Sequence, residues 1–529
     1  MTKICLINPP TTPYFSKDIY FPMGLISLGT SLEEEGIESE IIDFDLDLKK
    51  DPSLSNWETF KRHALQRLDH TECDVFGISS ICSNFPFALL LANEIKMKWP
   101  NSKVILGGPQ PSSVPEETLR VCPWVDIIVI GEGENTLVEL MKGDWDVTSL
   151  LNTSGIAFRN GKEIHKTSPR KLIDNLDHLP FPRFERIQIQ DYLAIAPLIP
   201  LIEAGRGCPF LCSFCSTSLM WERQFRMKSP GRILEEMRRL QRDLGLNSFS
   251  LTHDNFTTSH RYVAEFSEHF EKNNSEKFSW SVSARPDTLN IERIHALYRG
   301  GCRGFFFGID SGSAKTQADI QKHLNISHFK TILTESVSLG IESITSFIVG
   351  LPTETEEDLD QTIHAALESK LMGAVDTPLH RLSPLSGTSI EKEYRSELIW
   401  DKTPSDVSLS PFDDEEIDEL IKSQPILFSS FYSVPTPNLN LNMPAFSVFY
   451  YEIINKMPSV LKALLNQTQL SPCDLFKRWD EWRSNYYQTR TIDNSLILNL
   501  LGEFIGSLSS PATVGIKKCS EEVLNVATV

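Results

Sequence analysis

Basic side chains are scarce in this sequence. Its 529 residues include 51 Lys and Arg against 70 Asp and Glu, which gives a formal net charge of −19. Binding to nucleic acid without sequence preference depends on clustered Lys and Arg that neutralise phosphates. The charge balance therefore argues against a nucleic-acid partner.

Long apolar runs are also missing. No stretch reaches the roughly 18 uncharged apolar residues that a membrane-spanning helix needs, and Met1-Thr2-Lys3 leads directly into a strand-like run without a signal-peptide pattern. We therefore expect a cytoplasmic protein without a membrane span. Seven of the ten cysteines are scattered, which favours reduced thiols over a disulfide framework.

The other three cysteines form one close group. Cys208, Cys212 and Cys215 have C-x3-C-x2-C spacing and follow an apolar, strand-like run at residues 198–204. Thiolates suit iron–sulfur clusters and zinc, but ordinary sites of both kinds use four protein ligands. The next Cys or His residues are the distant His253 and Cys302. Three ligands would leave one iron of a cluster open to substrate, whereas a zinc loop or three buried thiols are the simpler alternatives.

Residues 1–143 alternate short apolar runs with amphipathic segments. Strands are predicted at residues 4–7, 39–43, 75–79, 104–106 and 127–130, which indicates a doubly wound, Rossmann-like α/β domain with a parallel sheet. Ligands bind outside the carboxyl ends of such strands. The candidate binding residues at these ends are Asn8, Pro9, Ser79, Ser80, Gly107, Gly108, Gly131 and Glu132. Each glycine, taken alone, could be a turn residue only.

The rest of the chain divides into three segments. Residues 144–197 are predicted to be a connector with a β-hairpin at Asn160-Gly161. Residues 198–388 resume the alternation, with strands predicted at 198–203, 248–252, 278–283, 304–308, 343–349 and 377–381. Residues 389–529 lack this rhythm and are predicted to be mainly helical. Just past the cysteines, Arg223, Arg226 and Lys228 are interpreted as a solvated, basic start of a helix, or alternatively as contacts to a bound group.

The cysteine loop, with the aromatic Phe214 before its last cysteine, resembles the cluster loop of the radical S-adenosylmethionine (SAM) enzymes. The resemblance implies that Cys208, Cys212 and Cys215 hold a [4Fe-4S] cluster whose open iron chelates SAM. It also implies that residues 198–388 form a partial (β/α)6, TIM-like barrel and that residues 389–529 cap its mouth.

Several predicted strand ends in residues 198–388 resemble this family's SAM contacts. His253-Asp254 ends the second strand, Gly308-Ile309-Asp310-Ser311-Gly312 follows the fourth with Asp in place of the usual Glu, and Ile348-Val349-Gly350 ends the fifth. The implied contacts to SAM are Asp254, Ser281, Ser283, Arg285, Asp310, Ile348 and Gly350. Asp254 as a helix cap and Arg285 as a surface partner are the simpler alternatives.

The glycine-rich strand ends of residues 1–143 resemble the cobalamin-binding domain of B12-dependent radical SAM enzymes. Classical B12 domains carry a histidine that ligates cobalt in the loop after the first strand. Here that loop reads Asn8-Pro9-Pro10, and the first histidine of the chain is His63. The resemblance therefore implies cobalamin without a histidine ligand from this loop, and a domain that no longer binds cobalamin stays open as an alternative.

Together these resemblances imply a cobalamin-dependent radical SAM enzyme, with C-methylation as the favoured reaction. A 5′-deoxyadenosyl radical would take hydrogen from an unactivated carbon, and methylcobalamin would supply the methyl group. The expected partners are a small-molecule or peptide substrate and an external electron donor such as flavodoxin or ferredoxin. The alternatives are cyclisation, ring contraction, epimerisation or oxidation, and a non-catalytic cobalamin or iron–sulfur sensor.

Overall fold

The computed structural model describes residues 3–11, 19–195, 200–401, 405, 408, 414–487, 497, 500–501 and 503–505. Contacts divide the chain into two compact units. Unit 1 comprises Met1–Asp254, Ser275–Phe278 and Ser383–Ser433, and unit 2 comprises Asn255–Asn274, Ser279–Leu382 and Val434–Val529. Among the helices of the described residues, none has the length and apolar character that would let it cross a membrane.

Seventeen strands are defined within the described residues. They are β1 Ile4–Asn8, β2 Ser39–Asp43, β3 Val75–Ser79, β4 Lys103–Gly107, β5 Ile127–Val129, β6 Ile156–Asn160, β7 Glu163–Lys166, β8 Leu201–Glu203, β9 Gly205–Arg206, β10 Arg226–Met227, β11 Ser248–Thr252, β12 Ser279–Ala284, β13 Cys302–Asp310, β14 Glu342–Val349, β15 Leu379–Arg381, β16 Ile399–Trp400 and β17 Tyr432–Ser433.

The α-helices of the described residues lie mainly between the parallel strands and after them. They are α1 Met23–Glu34, α2 Phe44–Lys50, α3 Trp57–Asp69, α4 Phe85–Lys98, α5 Pro109–Ser113, α6 Pro115–Val121, α7 Glu134–Lys142, α8 Val147–Asn152, α9 Ile189–Ile195, α10 Thr217–Met220, α11 Pro230–Leu244, α12 His260–Asn273, α13 Ile291–Arg299, α14 Ala314–Asp319, α15 Ile326–Ser338, α16 Glu356–Leu371, α17 Ser389–Tyr394, α18 Glu415–Ser423, α19 Met443–Lys456, α20 Pro458–Thr468 and α21 Pro472–Tyr487.

Unit 1 contains a seven-stranded sheet with the order β2-β1-β3-β4-β5-β6-β7. The first five strands in sequence pair in parallel, as predicted, whereas β6 is antiparallel to β5 and β7 is antiparallel to β6. The hairpin turns at Gly161, whose φ is +61°. The sequence predicted this hairpin as part of a connector. In the structure, the hydrogen bonds between β5 and β6 make the hairpin a continuation of the sheet.

The strands of this sheet are apolar on both faces because helices cover both. Leu6, Ile105 and Val129 face α1 and α7 in one buried cluster, while alternate residues such as Ile7 and Leu106 belong to a second cluster on the opposite face. The second cluster also includes Phe428 and Phe431 from the carboxyl-terminal part of unit 1. Burial on both faces explains the uniformly apolar strand sequences.

Four further strands of unit 1 precede or follow the cysteine loop. β8 and β11 pair in parallel, and β9 and β10 pair antiparallel, with Arg206 opposite Arg226. The predicted first strand of this region began at residue 198, and residues 198 and 199 lie outside the described part of the chain.

Unit 2 contains four consecutive parallel strands, β12 to β15. The helices α12, α13, α15 and α16 alternate with the strands of this region, as the pattern of residues 198–388 predicted. The following helices α19 to α21 pack through buried aromatic side chains, which include Phe446, Phe449, Tyr450 and Trp479. The described carboxyl-terminal residues are therefore mainly helical, as expected, and the predicted domain boundaries stay predictions.

Candidate cluster and cobalamin site

The cysteine loop begins directly after β9 in a strained turn. Gly207 has φ +94°, and a Cβ atom there would overlap the carbonyl oxygen of Gln224. Both the positive φ and the overlap with Gln224 therefore exclude a side chain at this residue, directly before Cys208. The motif needs glycine here to bend the chain into the loop.

Asp254 joins the two ends of this loop. Its carboxylate accepts hydrogen bonds from the backbone N–H of Gly207 (2.8 Å) and from Oγ1 of Thr217 (3.3 Å). Asp254 does not cap helix α12, since the Oγ atom of Ser259 performs that role. The structure gives Asp254 a bracing function at the loop, and its contact to SAM stays a prediction.

The three cysteine thiols lie close enough to interact electrostatically. Burial raises the pKa of Cys208 to about 11, a backbone hydrogen bond at Phe210 opposes this, and charges at Cys215, Asp254 and Cys212 add to the increase. All three cysteines are partly buried and form no disulfide, and Phe214 is also partly buried.

This donor set fits a cluster better than a single metal ion. Across the described residues, no group of three or more His, Cys, Asp or Glu side chains converges as the ligands of one ion would. In a [4Fe-4S] cluster each cysteine ligates a different iron, so the sulfur atoms must stand farther apart than around zinc. Three thiols on one loop fit a cluster that keeps one iron open, whereas structural zinc sites use four protein ligands.

A cavity of about 220 Å³ opens at the carboxyl edge of the seven-stranded sheet. Its lining includes Ser79, Gly107, Gly108, Gly131 and Glu132, five of the eight predicted cobalamin residues. The apolar floor of the cavity consists of Leu6, Leu25, Ile105, Val129 and Leu137. Gly77 also lines the cavity. A Cβ atom at Gly77 would stand 3.2 Å from Leu6 and 3.3 Å from Ile4, so glycine keeps the strand packed at the cavity. An apolar recess with a polar rim fits the aromatic base and polar arm of cobalamin.

The other three predicted residues organise the first loop and do not line the cavity. The side-chain amide of Asn8 donates to Asp43 (2.9 Å), the carbonyl oxygen of Pro9 accepts from Asn84, and the hydroxyl of Ser80 donates to Asn84 (3.0 Å). These bonds hold the loop that replaces the classical histidine loop. Direct contacts from Asn8, Pro9 and Ser80 to cobalamin stay predictions.

Asp43, the partner of Asn8, is a buried carboxyl group at the end of β2. Burial raises the pKa of Asp43 to about 6, although hydrogen bonds from Tyr192 and Asn8 oppose the increase. The backbone N–H groups of Asp45 and Leu46 also donate to this carboxylate. Asp43 thereby connects the first loop to α2 and α9.

Sequence reasoning missed the other side of the cavity. Glu203, Arg206, Met220 and Trp221 line it, and all four flank the cysteine loop. Arg226 and Lys228, interpreted as solvated, are in fact buried: Arg226 pairs with Glu132 (2.9 Å) and Lys228 with Glu236 (3.0 Å). That interpretation was wrong for these two residues: the partner of Arg226 is 94 residues away, and that of Lys228 lies eight residues ahead on α11. The position of Arg206 inside the cysteine motif was the only available signal.

The predicted SAM residues of unit 2 are engaged with one another and with their neighbours. Arg285 donates to Asp287 (2.8 Å) and to the carbonyl oxygen of Lys322 (2.8 Å), while the ammonium of Lys322 forms a buried ion pair with Asp310. Ser281 and Ser283 alternate along β12 and are half-buried. The structure thus makes Arg285 a buried structural partner, and the SAM contacts of this set stay predictions.

A buried carboxyl group shapes the turn after β14. Glu354 accepts hydrogen bonds from the backbone N–H groups of Gly350 (2.8 Å) and Leu351 (3.3 Å), next to Ile348. Gly350 has φ +81°, which favours glycine. Burial raises the pKa of Glu354 to about 8, and the two backbone hydrogen bonds only partly oppose it. Sequence reasoning gave Glu354 no role.

Two family models match the chain. The model of the Radical SAM superfamily matches residues 202–366, and that of the B12 binding domain matches residues 16–141. Together they cover more than half of the chain. The first match contains the cysteine loop, and the second contains the strand ends that line the cavity.

Individual relatives agree with these matches. An uncharacterised methyltransferase of Pyrococcus horikoshii is 29% identical over 444 residues, which are 82% of this chain and 93% of the relative. An anaerobic magnesium-protoporphyrin IX monomethyl ester cyclase of Cereibacter sphaeroides is 29% identical over 282 residues, which are 50% of this chain and 45% of that protein.

A solved structure has the same fold. The radical SAM methyltransferase TsrM of Kitasatospora setae, with cobalamin and a [4Fe-4S] cluster bound, aligns with a TM-score of 0.66 at 16% identity. The alignment covers 86% of this chain and 95% of that one. The chain therefore belongs to the radical SAM enzymes that carry an amino-terminal B12-binding domain, and its cofactors are a [4Fe-4S] cluster, SAM and cobalamin.

Proposed function

We propose that this enzyme is a methyltransferase that methylates an unactivated carbon of a small molecule or peptide. One observation carries the proposal: a single cavity is lined on one side by the carboxyl ends of the B12-domain strands and on the other by residues that flank the cysteine loop. When bound, cluster and SAM supply a 5′-deoxyadenosyl radical, and cobalamin supplies the methyl group. A methyltransferase of this kind needs the two cofactor sites next to each other.

Several residues of the chain shape the cavity for two adjacent cofactors. Gly108 and Gly131 allow close approach of the backbone, the apolar floor excludes water, and Trp221 and Met220 close the cavity on the side of the cysteine loop. Pro9 and Pro10 stand where a cobalt-ligating histidine would, and His63 is paired with Asp47 (2.9 Å). The first loop therefore offers no imidazole to cobalamin.

The roles of the site residues follow from this placement. We assign Cys208, Cys212 and Cys215 to the cluster and the five cavity residues among the predicted set to cobalamin. A reduced flavodoxin or ferredoxin is the proposed electron donor, because the reductive cleavage of SAM needs one electron from outside.

A second candidate is radical cyclisation or another reaction without methyl transfer. The similarity to the magnesium-protoporphyrin ester cyclase favours it, but that match covers less than half of the cyclase. The similarity to the Pyrococcus methyltransferase covers nearly all of that relative. We therefore place methyl transfer first.

Two products of SAM separate these reactions without knowledge of the substrate. S-adenosylhomocysteine forms only when SAM gives up its methyl group, and 5′-deoxyadenosine forms only by reductive cleavage. We expect both from anaerobically purified enzyme with cobalamin, SAM and titanium(III) citrate. The triple variant C208A/C212A/C215A should form no 5′-deoxyadenosine. Release of 5′-deoxyadenosine without S-adenosylhomocysteine, from enzyme with stoichiometric cobalamin, would refute methyl transfer and favour the second candidate.

A further inference from the structure

A buried network of charges joins the cysteine loop to the cobalamin cavity within unit 1. The guanidinium of Arg206 donates to Glu132 (2.7 Å), to Glu134 (2.7 Å) and to Glu203 (2.7 Å). Arg226 donates to the same oxygen of Glu132 (2.9 Å) and to the carbonyl oxygen of Ile173 (2.8 Å). One arginine thus connects the loop after β5 with the strand that enters the cysteine loop.

Stability alone does not explain this network. Arg206, Glu132 and Glu134 are all buried, with exposures of 6%, 7% and 6%. The desolvation of buried ion pairs offsets most of their Coulombic gain, so apolar residues of similar volume would often serve stability equally well. The planar fork of arginine bonds several carboxylates at fixed angles, so this network can define the geometry at the entry to the cysteine loop.

The network lies in the wall of the cavity and beside the cluster ligands. Arg206 is two residues before Cys208, and it lines the cavity together with Glu132, Glu134 and Glu203. The ring of Trp221, also in the lining, lies 5.7 Å from the guanidinium of Arg206 and 5.6 Å from that of Arg226. An occupant of the cavity would therefore touch the groups that hold the base of the cysteine loop.

We propose that Arg206 is a positioning residue that couples occupation of the cobalamin cavity to the cluster loop. An occupant displaces water from the cavity wall, which lowers the local dielectric constant and strengthens the attraction between Arg206 and its carboxylates. The entry to the cysteine loop is then held more tightly. Coupling between two sites is reciprocal, so a loaded cluster must raise the affinity for cobalamin by the same factor.

The coupling is measured as a ratio of two dissociation constants. Hydroxocobalamin is titrated into cluster-loaded and into cluster-free protein, and binding is followed by absorbance. We expect the loaded protein to bind at least about fivefold more tightly, at the lower end of typical couplings between sites. In R206K, which keeps the charge but not the fork, the ratio should fall to about one. The midpoint potential of the cluster, from an electron paramagnetic resonance titration, should shift when cobalamin, reduced to its Co(II) form in the titration, is present with the wild type and not with R206K.

Arg239 provides a matched control on the surface of the same unit. It pairs with Glu235 at 3.3 Å, and both side chains are 42% exposed. R239K should keep the wild-type ratio. A wild-type ratio of one, or an R206K ratio equal to the wild type at full iron content, would overturn the proposal.

A third variant decides the case in which R206K fails to load the cluster. E134Q keeps the shape of a partner of Arg206 but removes its charge, and it should reduce the ratio at normal iron content. An unchanged ratio in E134Q would overturn the proposal. The inference rests on the assigned cofactors and not on methyl transfer: coupling without S-adenosylhomocysteine would refute the proposed reaction alone.

Discussion

Gly108 offers the sharpest test of how the cavity is built. Its φ of +99° with ψ of −179° lies in a region that only glycine occupies readily. A Cβ atom there would stand 2.5 Å from the carbonyl oxygen of Ser80 and 2.9 Å from the nitrogen of Ser80. Both contacts are with backbone, which cannot rotate away as a side chain could. Replacement by alanine therefore adds a clash to the backbone strain.

The stability loss expected for G108A is judged against alanine variants of two other cavity glycines, Gly131 and Gly107. Gly131 has φ +79°, and no atom lies within 4 Å of the position that a Cβ atom would take there, so G131A should cost strain alone, about 1–2 kcal/mol. G108A should cost about 1–3 kcal/mol of strain and a further 1–3 kcal/mol or so for the forced shift. The lower entropy of unfolded alanine returns up to about 1 kcal/mol in both variants. At Gly107 the nearest contact is Val129 at 3.9 Å, so G107A should leave the free energy of unfolding almost unchanged.

Two assays are used. Urea unfolding of cofactor-free protein, monitored by circular dichroism, measures stability, and an absorbance titration of folded protein with hydroxocobalamin measures binding. We expect the order of destabilisation to be G108A, then G131A, then G107A. Because the methyl group of G107A would enter the cavity, this variant should weaken cobalamin binding without loss of stability. Equal stability of G108A and G131A would show that Ser80 is not the constraint, and the packing of the cavity edge would need another explanation.

Three further predictions concern buried carboxyl groups and the cluster. Because the folded-state pKa of Asp43, about 6, exceeds its ordinary value of 3.8, the wild type should lose about 2 kcal/mol of unfolding free energy relative to D43N as pH rises from 4 to 6; parallel pH profiles in urea titrations would contradict this. E354Q should have the same melting temperature as the wild type at pH 7, since burial favours the neutral form of Glu354. E354A should lose roughly 1–3 kcal/mol of unfolding free energy, because the hydrogen bonds to the turn are lost. A Gln variant as unstable as the Ala variant would disprove the neutral form. The combined replacement of the three loop cysteines by alanine should abolish iron binding and the brown colour, as iron analysis and absorbance can establish, and retained iron would refute the cluster assignment.

Much of the fold could be predicted from local pattern. The parallel strands β1 to β5 and the hairpin at Gly161 follow from apolar runs and turn residues, which act over a few neighbouring positions. The cysteine spacing works in the same way, because one short loop supplies the whole ligand set. These features depend on residues close in sequence, and a single sequence therefore reveals them.

The site also depends on contacts that only the tertiary structure decides. Arg206 meets Glu132 and Glu134 across separations of 74 and 72 residues, and Arg226 is buried by a partner 94 residues away. Arg285 and Asp310 are predicted to contact SAM, and the structure adds that both are engaged through Lys322, while their contact with SAM stays a prediction. From the sequence alone, a charged side chain can be predicted only as solvated or ligand-binding. Whether it has a protein partner depends on how the strands and loops pack. The sequence by itself therefore determined the cysteine ligand set and pointed to the cofactors through local motifs, whereas the packing decided which charges connect their sites, because the cost of burying an ion depends on what stands beside it.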